Sequence, residues 1–168
     1  MFRAAAGGDL GAILRLYRQL NPGDPVLEDG SDRDVFEQIL ADPGLQLSVL
    51  EQDGRVVATT YLNVIPNLSR AASPYAIIEN VVVDEELRGR GLGKLIMDHT
   101  LREAWRRGCY KVMLLTGSKQ ASTHAFYRSC GFTPDVKTGY VARRLLPHER
   151  TGPVSPPDPD AAAAATDR

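Results

Sequence analysis

The sequence reads as an α/β (α+β) domain, helices laid over a sheet, on three observations. Leu45, Leu47 and Val49 alternate with polar residues ahead of Asp53-Gly54, a dipeptide that supplies positive φ in a two-residue hairpin turn. Tyr75–Val83 is nearly continuous in apolar and β-branched residues, the mark of a strand covered on both faces. A glycine-rich stretch then opens a run over 92–107 in which Gly93, Ile96, Met97, Thr100, Leu101 and Ala104 share one helical face.

Taken in order, Asp9 is read as the N-cap of a first helix, with Leu10, Ile13, Leu14, Tyr17 and Leu20 at helical spacing and Asn21-Pro22-Gly23 as its stop. Ser31 and Asp32 cap a second, shorter helix whose Val35, Phe36, Ile39 and Leu40 form an apolar stripe before Pro43. The hairpin places one strand before Asp53 and another over 55–65; after a loop over 67–74 comes the strand Tyr75–Val83, whose single charge is Glu79. On the outer side of the 92–107 helix, Lys94, Asp98, Arg102 and Arg106 recur every fourth residue, and Gly108 ends it. Residues 111–116 read as another buried strand and 121–130 as a helix closed by Gly131, and from Phe132 strand character returns through Tyr140, Val141 and Leu145.

Residues 1–147 therefore read as one domain and 148–168 as a disordered, Pro/Ala-rich tail. That tail holds Pro153, Pro156, Pro157, Pro159, five alanines and no large apolar anchor beyond Val154, so burial cannot offset its ordering entropy. With 168 residues the chain is long enough to bury the core of an enzyme. Its 20 basic and 21 acidic residues are interspersed and sum to −1, which excludes bulk attraction to nucleic acid or to an anionic membrane and requires any anion site to be local. No window approaches the roughly 18 apolar residues of a membrane span, and no export signal opens the chain, so a cytoplasmic protein is expected. Cys109 and Cys130 lack CxxC spacing; they are expected as reduced packing residues, with no metal site.

The stretch Arg88-Gly89-Arg90-Gly91-Leu92-Gly93-Lys94 lies between an apolar strand and a helix. A strand that turns through glycines into a helix exposes unpaired backbone N–H groups and the positive end of the helix dipole, which together bind phosphate oxygens. A Walker loop needs a glycine where Arg88 stands and Ser or Thr where Leu95 stands, and a GxGxxG fingerprint begun at Gly89 fails at Lys94. The pattern that does fit is Arg-x-x-Gly-x-Gly after Glu-Asn-Val-Val-Val-Asp.

This loop, Gly108-Cys109-Tyr110-Lys111, and Phe126-Tyr127-x-x-x-Gly131-Phe132 occur in the order found in the GNAT N-acetyltransferase superfamily, which the chain resembles over about 47–145 and most strongly over 78–132. The stretches 78–83, 108–111 and 126–132 are also similar to the glucosamine-6-phosphate N-acetyltransferase branch. The resemblance implies the GNAT fold, a mixed, mostly antiparallel, splayed sheet flanked by about four helices, and acetyl-CoA as cosubstrate. It implies that pantetheine pairs with the backbone of Val81, Val82 and Val83, and that the pyrophosphate rests on Arg88, Gly89, Arg90, Gly91, Leu92, Gly93 and Lys94. Thr123 stands where the family often has a cofactor-binding asparagine, and offers a hydroxyl there.

Acetylating an alkylamine of pKa near 10.4 requires taking its proton, since only about one part in 10³ is neutral at pH 7. Glu79 is the candidate base. It lies in an apolar strand, where desolvation would strengthen it, and plain alternation gives it the parity of Ile77, Val81 and Val83. Helical periodicity alone makes Tyr127 a core aromatic beside Phe126, whereas the resemblance places it at the family's general acid, protonating the departing thiolate. His124, three residues before Tyr127, is read as a surface histidine on that side of the helix.

The reading is an N-acetyltransferase acting by direct attack on a primary amine of a small molecule, an amino sugar among the candidates, with no nucleic acid or membrane partner and a homodimer left open. A peptide or protein acceptor and a non-catalytic CoA-binding module are the alternatives. Glu79 together with Tyr127 speaks against the last, since a binder needs neither.

Overall fold

The structure is a computed structural model and describes residues 1–144. Residues 1–138 form one compact unit; the second unit begins at Gly139, and its described residues, 139–144, carry no helix or strand. The expected tail over 148–168 and the strand position Leu145 lie outside the described residues.

The first unit is a five-stranded sheet in the order β1 (Phe2–Ala4), β2 (Leu45–Gln52), β3 (Arg55–Ile65), β4 (Tyr75–Val83), β5 (Val112–Met113). The first three pairings are antiparallel and β4–β5 is parallel, so the sheet is mixed and mostly antiparallel, as expected. Asp53 and Gly54 adopt φ of 51° and 74°, the double positive φ that joins β2 to β3 in a two-residue hairpin. The edge strand β1 has no counterpart in the sequence reading, because three residues hold too little alternation to register.

Helices α1 (Leu10–Leu20) and α2 (Ser31–Ala41) cover one face, packing Ile13, Leu16 and Phe36 onto Leu47, Val49 and Val82. Helix α4 (Leu92–Arg106) covers the other, with Met97 and Ala104 against Leu62, Ala76 and Ile78. Each fully buried Ile, Leu or Met contributes about 1.5–3 kcal/mol, so these two layers hold the sheet. A buried hydrogen bond of 2.8 Å between Thr60 and Thr100 fixes α4 on β3. Between β3 and β4 runs a single turn, α3 (Ser69–Ala72), with Arg70 and Ala71 in the left-handed region. The fourth long helix, α5 (Ala121–Ser129), follows β5, and Gly131 at φ 89° lies just beyond its end.

Several boundaries differ from expectation. Leu16 is fully buried while Leu20 is exposed, so the α1 stripe turns toward the middle of the helix. Asp9 precedes α1 but does not cap it through its side chain: the carboxylate accepts from the Ala6 amide at 2.7 Å and from Arg3 at 2.6 Å. On α2 only Phe36 is buried, and Val35 and Leu40 face solvent. The strand read over 111–116 shrinks to Val112–Met113, with Leu115 exposed. No strand follows Phe132 among the described residues; Val136, Tyr140 and Val141 are exposed, and β propensity without a covering face does not make a strand.

Candidate active site

β4 carries the candidate site. Its register against β3 runs Tyr61↔Glu79 and then Thr59↔Val82, so Asn80 and Val81 lie opposite the single residue Thr60. This is a β-bulge, and Asn80 takes φ 49° within it. The extra residue inverts the alternation. Glu79 shares the α1 face with Ile77 and Val82, while Val81 and Val83 pack on the α4 face. The parity expected for Glu79 with Val81 and Val83 is therefore corrected, and so is its desolvation, for Glu79 is exposed.

The parallel ladder with β5 ends at Ala76↔Val112 and Ile77↔Met113. β5 ends at Met113, and among the described residues no β5 pairing covers that edge of Val81, Val82 and Val83. The open edge leads to the glycine loop through Asp84, a carboxylate 1% exposed that receives Arg15 at 2.6 Å and Arg55 at 2.9 Å. Burial alone would raise the Asp84 carboxyl, but Arg15, the Glu86 amide and Arg55 outweigh it and hold it below the usual carboxylate range.

A 3₁₀ turn (Glu85–Leu87) precedes the loop, and Gly89 and Gly91 take φ of 76° and 79°, left-handed values that bring the chain into α4. No side chain caps α4, so its first amides, Leu92, Gly93 and Lys94, have no intrahelical acceptor. Arg88, Gly89, Arg90 and Gly91 are exposed around it. Of the three cations, Arg88 donates to the Val83 carbonyl at 3.2 Å, and Lys94 donates to the Ser129 carbonyl at 2.9 Å and pairs with Asp98 at 3.3 Å. Arg90 has no hydrogen bond or ion pair among the described residues. Lys94 thus ties α4 to α5 rather than standing free beside the loop.

α5 closes against the same region. A Cβ on Gly93 would come within 3.1 Å of the Phe126 ring, so the absent side chain sets how closely α5 approaches α4. Thr123 is half-buried with its hydroxyl bonded to Ser118 at 3.1 Å, and His124 Nε2 lies 2.9 Å from the Ser118 carbonyl. The half-buried Tyr127 ring packs between Phe126 and Phe132, with centroids at 5.1 and 6.2 Å. Its phenol is pushed up by burial, then by Cys130 and Glu79, so it keeps its proton beyond the ordinary tyrosine range. Cys109 and Cys130 are buried in the same cluster with thiols pushed up by burial, which makes them packing residues and poor nucleophiles.

On the α1 face, a cleft of about 490 Å³ is lined by Leu45, Tyr61, Asn63, Val64, Ile65, Ile77, Glu79 and Asn80. It offers one carboxylate, two amides and a phenol on apolar walls. Behind it stands Tyr17, whose phenol is pushed up to about 12 by burial, drawn down by a hydrogen bond from the Asn80 side chain, and raised by Tyr61. Tyr17, Tyr61, Asn63 and Asn80 were not singled out from sequence as site residues. The usable signal was Asn80 itself, a poor strand former that tolerates left-handed φ, set inside an otherwise ideal strand. Among the described residues no group of three His, Cys, Asp or Glu could hold a metal ion, and no helix is long and apolar enough to cross a membrane.

Residues 12–132 match the acetyltransferase (GNAT) family. The chain is 34% identical over 151 residues to glucosamine 6-phosphate N-acetyltransferase 1 of Oryza sativa subsp. japonica, covering 77% of this chain and 86% of the relative. It is 37% identical over 132 residues to the glucosamine 6-phosphate N-acetyltransferase of Trypanosoma brucei brucei, with the same coverage of 77% and 86%. Among solved structures, a protein of Agrobacterium tumefaciens assigned as an acetyltransferase superposes with a TM-score of 0.82 at 49% identity, over 86% of this chain and 99% of the other. The Arabidopsis thaliana glucosamine-6-phosphate N-acetyltransferase superposes with a TM-score of 0.75 at 26% identity, over 87% and 98%. With its mixed five-stranded sheet and its glycine loop at the head of α4, the chain belongs to the GNAT acetyltransferase family and is an acetyl-CoA-dependent N-acetyltransferase.

Proposed function

We propose that the enzyme acetylates the primary amine of an amino sugar, with the cofactor on one side of the β4 edge and the sugar in the cleft on the other. The observation that carries this reading is the bulged strand itself, which turns Glu79 into the cleft while leaving the open edge of Val81, Val82 and Val83 toward the gap between β4 and β5. Pantetheine would add to that edge as a short strand, and the pyrophosphate would sit on the amides of Arg88, Gly89, Arg90, Gly91, Leu92, Gly93 and Lys94, with the exposed Arg90 supplying a positive charge. Thr123 offers a hydroxyl to the cofactor on the α5 side.

In the reaction the amine nitrogen attacks the thioester carbonyl, the C–S bond breaks and an amide forms. Glu79, exposed at the cleft, takes the amine proton, through a water where the acceptor does not reach it. The Tyr127 phenol gives its proton to the leaving thiolate and is restored from solvent. Amides at Asn63 and Asn80 and the Tyr61 phenol suit the hydroxyls of a sugar, and both curated relatives described above are named for an amino-sugar acceptor.

The test is thiol release from acetyl-CoA across a panel of glucosamine, its 6-phosphate, polyamines, amino acids and peptides. Turnover highest with an amino sugar is expected. Turnover confined to peptide amines, or tight acetyl-CoA binding with a flat panel, would overturn the reading.

A further inference from the structure

We propose that Arg15, on α1, is a positioning residue for acetyl-CoA: with Gln19 one turn later it grips the turn at the end of β4 and fixes the direction in which the glycine loop leaves the sheet. This rests on the reading of that loop as the pyrophosphate site. β4 ends at Val83, and Asp84 is the joint between strand and loop. Its amide still donates to the Val57 carbonyl of β3 at 2.8 Å, while its own carbonyl accepts the Leu87 amide at 2.9 Å and closes the 3₁₀ turn. Arg88 follows at once. The two side-chain oxygens divide their work: Oδ1 accepts the Glu86 amide at 3.4 Å, and Oδ2 receives Arg15 at 2.6 Å and Arg55 at 2.9 Å.

Capping such a turn needs one oxygen and no charge, as serine or asparagine would supply. A buried carboxylate is costly unless it is paired, so what the charge adds is a tie to other elements. The Arg15 fork makes that tie twice: Nη1 meets Asp84, and Nη2 donates to the Val56 carbonyl at 2.8 Å, joining α1 to β3 and to the end of β4 through one guanidinium. Gln19 lies four residues on and so on the same side of α1, and its Oε1 accepts the Glu85 amide at 2.9 Å. α1 thus holds two consecutive residues of the turn, and is itself fixed by Ile13 and Leu16 in the core. Arg55 backs the same carboxylate from a more exposed position. Residues 88–91 are exposed, so the loop takes its course from the turn before it and from α4 after it. α4 is anchored by Ile96 and Met97; the turn is anchored by Arg15 and Gln19. Arg15 acts through Asp84 and not on the cofactor itself.

The experiment compares two ligands in wild type, Arg15→Met, Gln19→Leu and Gly91→Val, well below the lowest melting midpoint. Acetyl-CoA is titrated by calorimetry, and S-acetyl-pantetheine, which carries the same thioester without the pyrophosphate, by displacement. Arg15→Met is expected to weaken acetyl-CoA about tenfold to a hundredfold, as for one or two charge-assisted hydrogen bonds made from a misplaced loop, and to change S-acetyl-pantetheine less than about twofold. Gln19→Leu leaves no charge unpaired, so it remains measurable should Arg15→Met fail to fold; it is expected to show the same split between ligands at about threefold to tenfold. Wild-type acetyl-CoA affinity in Arg15→Met and Gln19→Leu beside a loss in Gly91→Val would overturn the grip while leaving the loop as the pyrophosphate site. Wild-type affinity in all three would overturn the inference together with the reading of the loop beneath it. Equal losses for both ligands would show a loosened domain instead of a misplaced loop, and would overturn the inference as well.

Discussion

The two halves of the site are built differently. The half proposed to take the cofactor is one continuous stretch, the end of β4, the loop and the first turn of α4, over residues 81–94, and its shape is set by backbone conformations that particular residues impose: Gly89 and Gly91 at positive φ, and Asp84 clasped by two arginines. The cleft proposed for the acceptor is assembled from β2, β3 and β4, and its shape is set by register and by one extra residue in β4. A local device survives as a sequence pattern. An assembled one is visible only once the strands are paired.

The contrast predicts that cofactor binding fails through single glycines, while the acceptor half fails through geometry. Gly91→Val should have the largest effect. The space around Gly91 is open, but a β-branched residue resists φ 79° and its side chain would occupy the approach to the loop amides, so acetyl-CoA affinity measured by calorimetry should fall about 100-fold or more, as for the loss of several backbone hydrogen bonds. Unchanged affinity would break the comparison at its cofactor end.

Tyr127→Phe should lower kcat about 10²-fold or more with acetyl-CoA affinity spared, the usual cost of a lost general acid. Because burial raises this phenol, the deficit should persist at every pH up to the ordinary tyrosine range, since the wild-type group stays protonated throughout it.

Asp84→Asn should cost about 2 kcal/mol of stability, or about 4–8 °C in Tm. That is less than for a fully enclosed pair, because Arg15 and Arg55 both reach solvent. The folded-state pKa of Asp84 is depressed, so its contribution is present above the unfolded value of about 3.9 and is lost as pH falls through the folded one. Acid unfolding curves of wild type and variant should therefore converge at low pH. Gly93→Ala should be the mildest change. Gly93 is the second residue of α4, so the gain in helix propensity is below the interior value of about 1 kcal/mol and only partly offsets overpacking of about 1 kcal/mol against Phe126; Tm should fall by less than about 4 °C while any displacement of α5 shows as slower turnover.

The sequence disclosed the elements whose signals are local. The Asp53-Gly54 hairpin, the buried face of α4 and the loop after β4 all appear where residue type and spacing placed them. Glu79 was picked out as the lone carboxylate of its strand, but its surroundings were misread, since strict alternation cannot anticipate a bulge that moves a side chain to the other face. Tyr61 and Asn63 were equally hidden, because their meeting with Glu79 depends on the β3–β4 register rather than on any motif. The strand expected from Phe132 onward failed for the opposite reason. Val136, Tyr140 and Val141 carry β propensity, yet among the described residues they are exposed and unpaired in any ladder.

The account turns on Glu79 as the group that receives the amine proton, and the pH dependence of kcat/KM in wild type and Glu79→Gln tests that most directly. Glu79→Gln should run about 10²-fold slower than wild type near pH 7, and the deficit should narrow as the pH rises toward the pKa of the amine itself, where the acceptor no longer needs a base. A Glu79→Gln enzyme with the wild-type rate across that range would contradict the account and pass the proton to solvent alone.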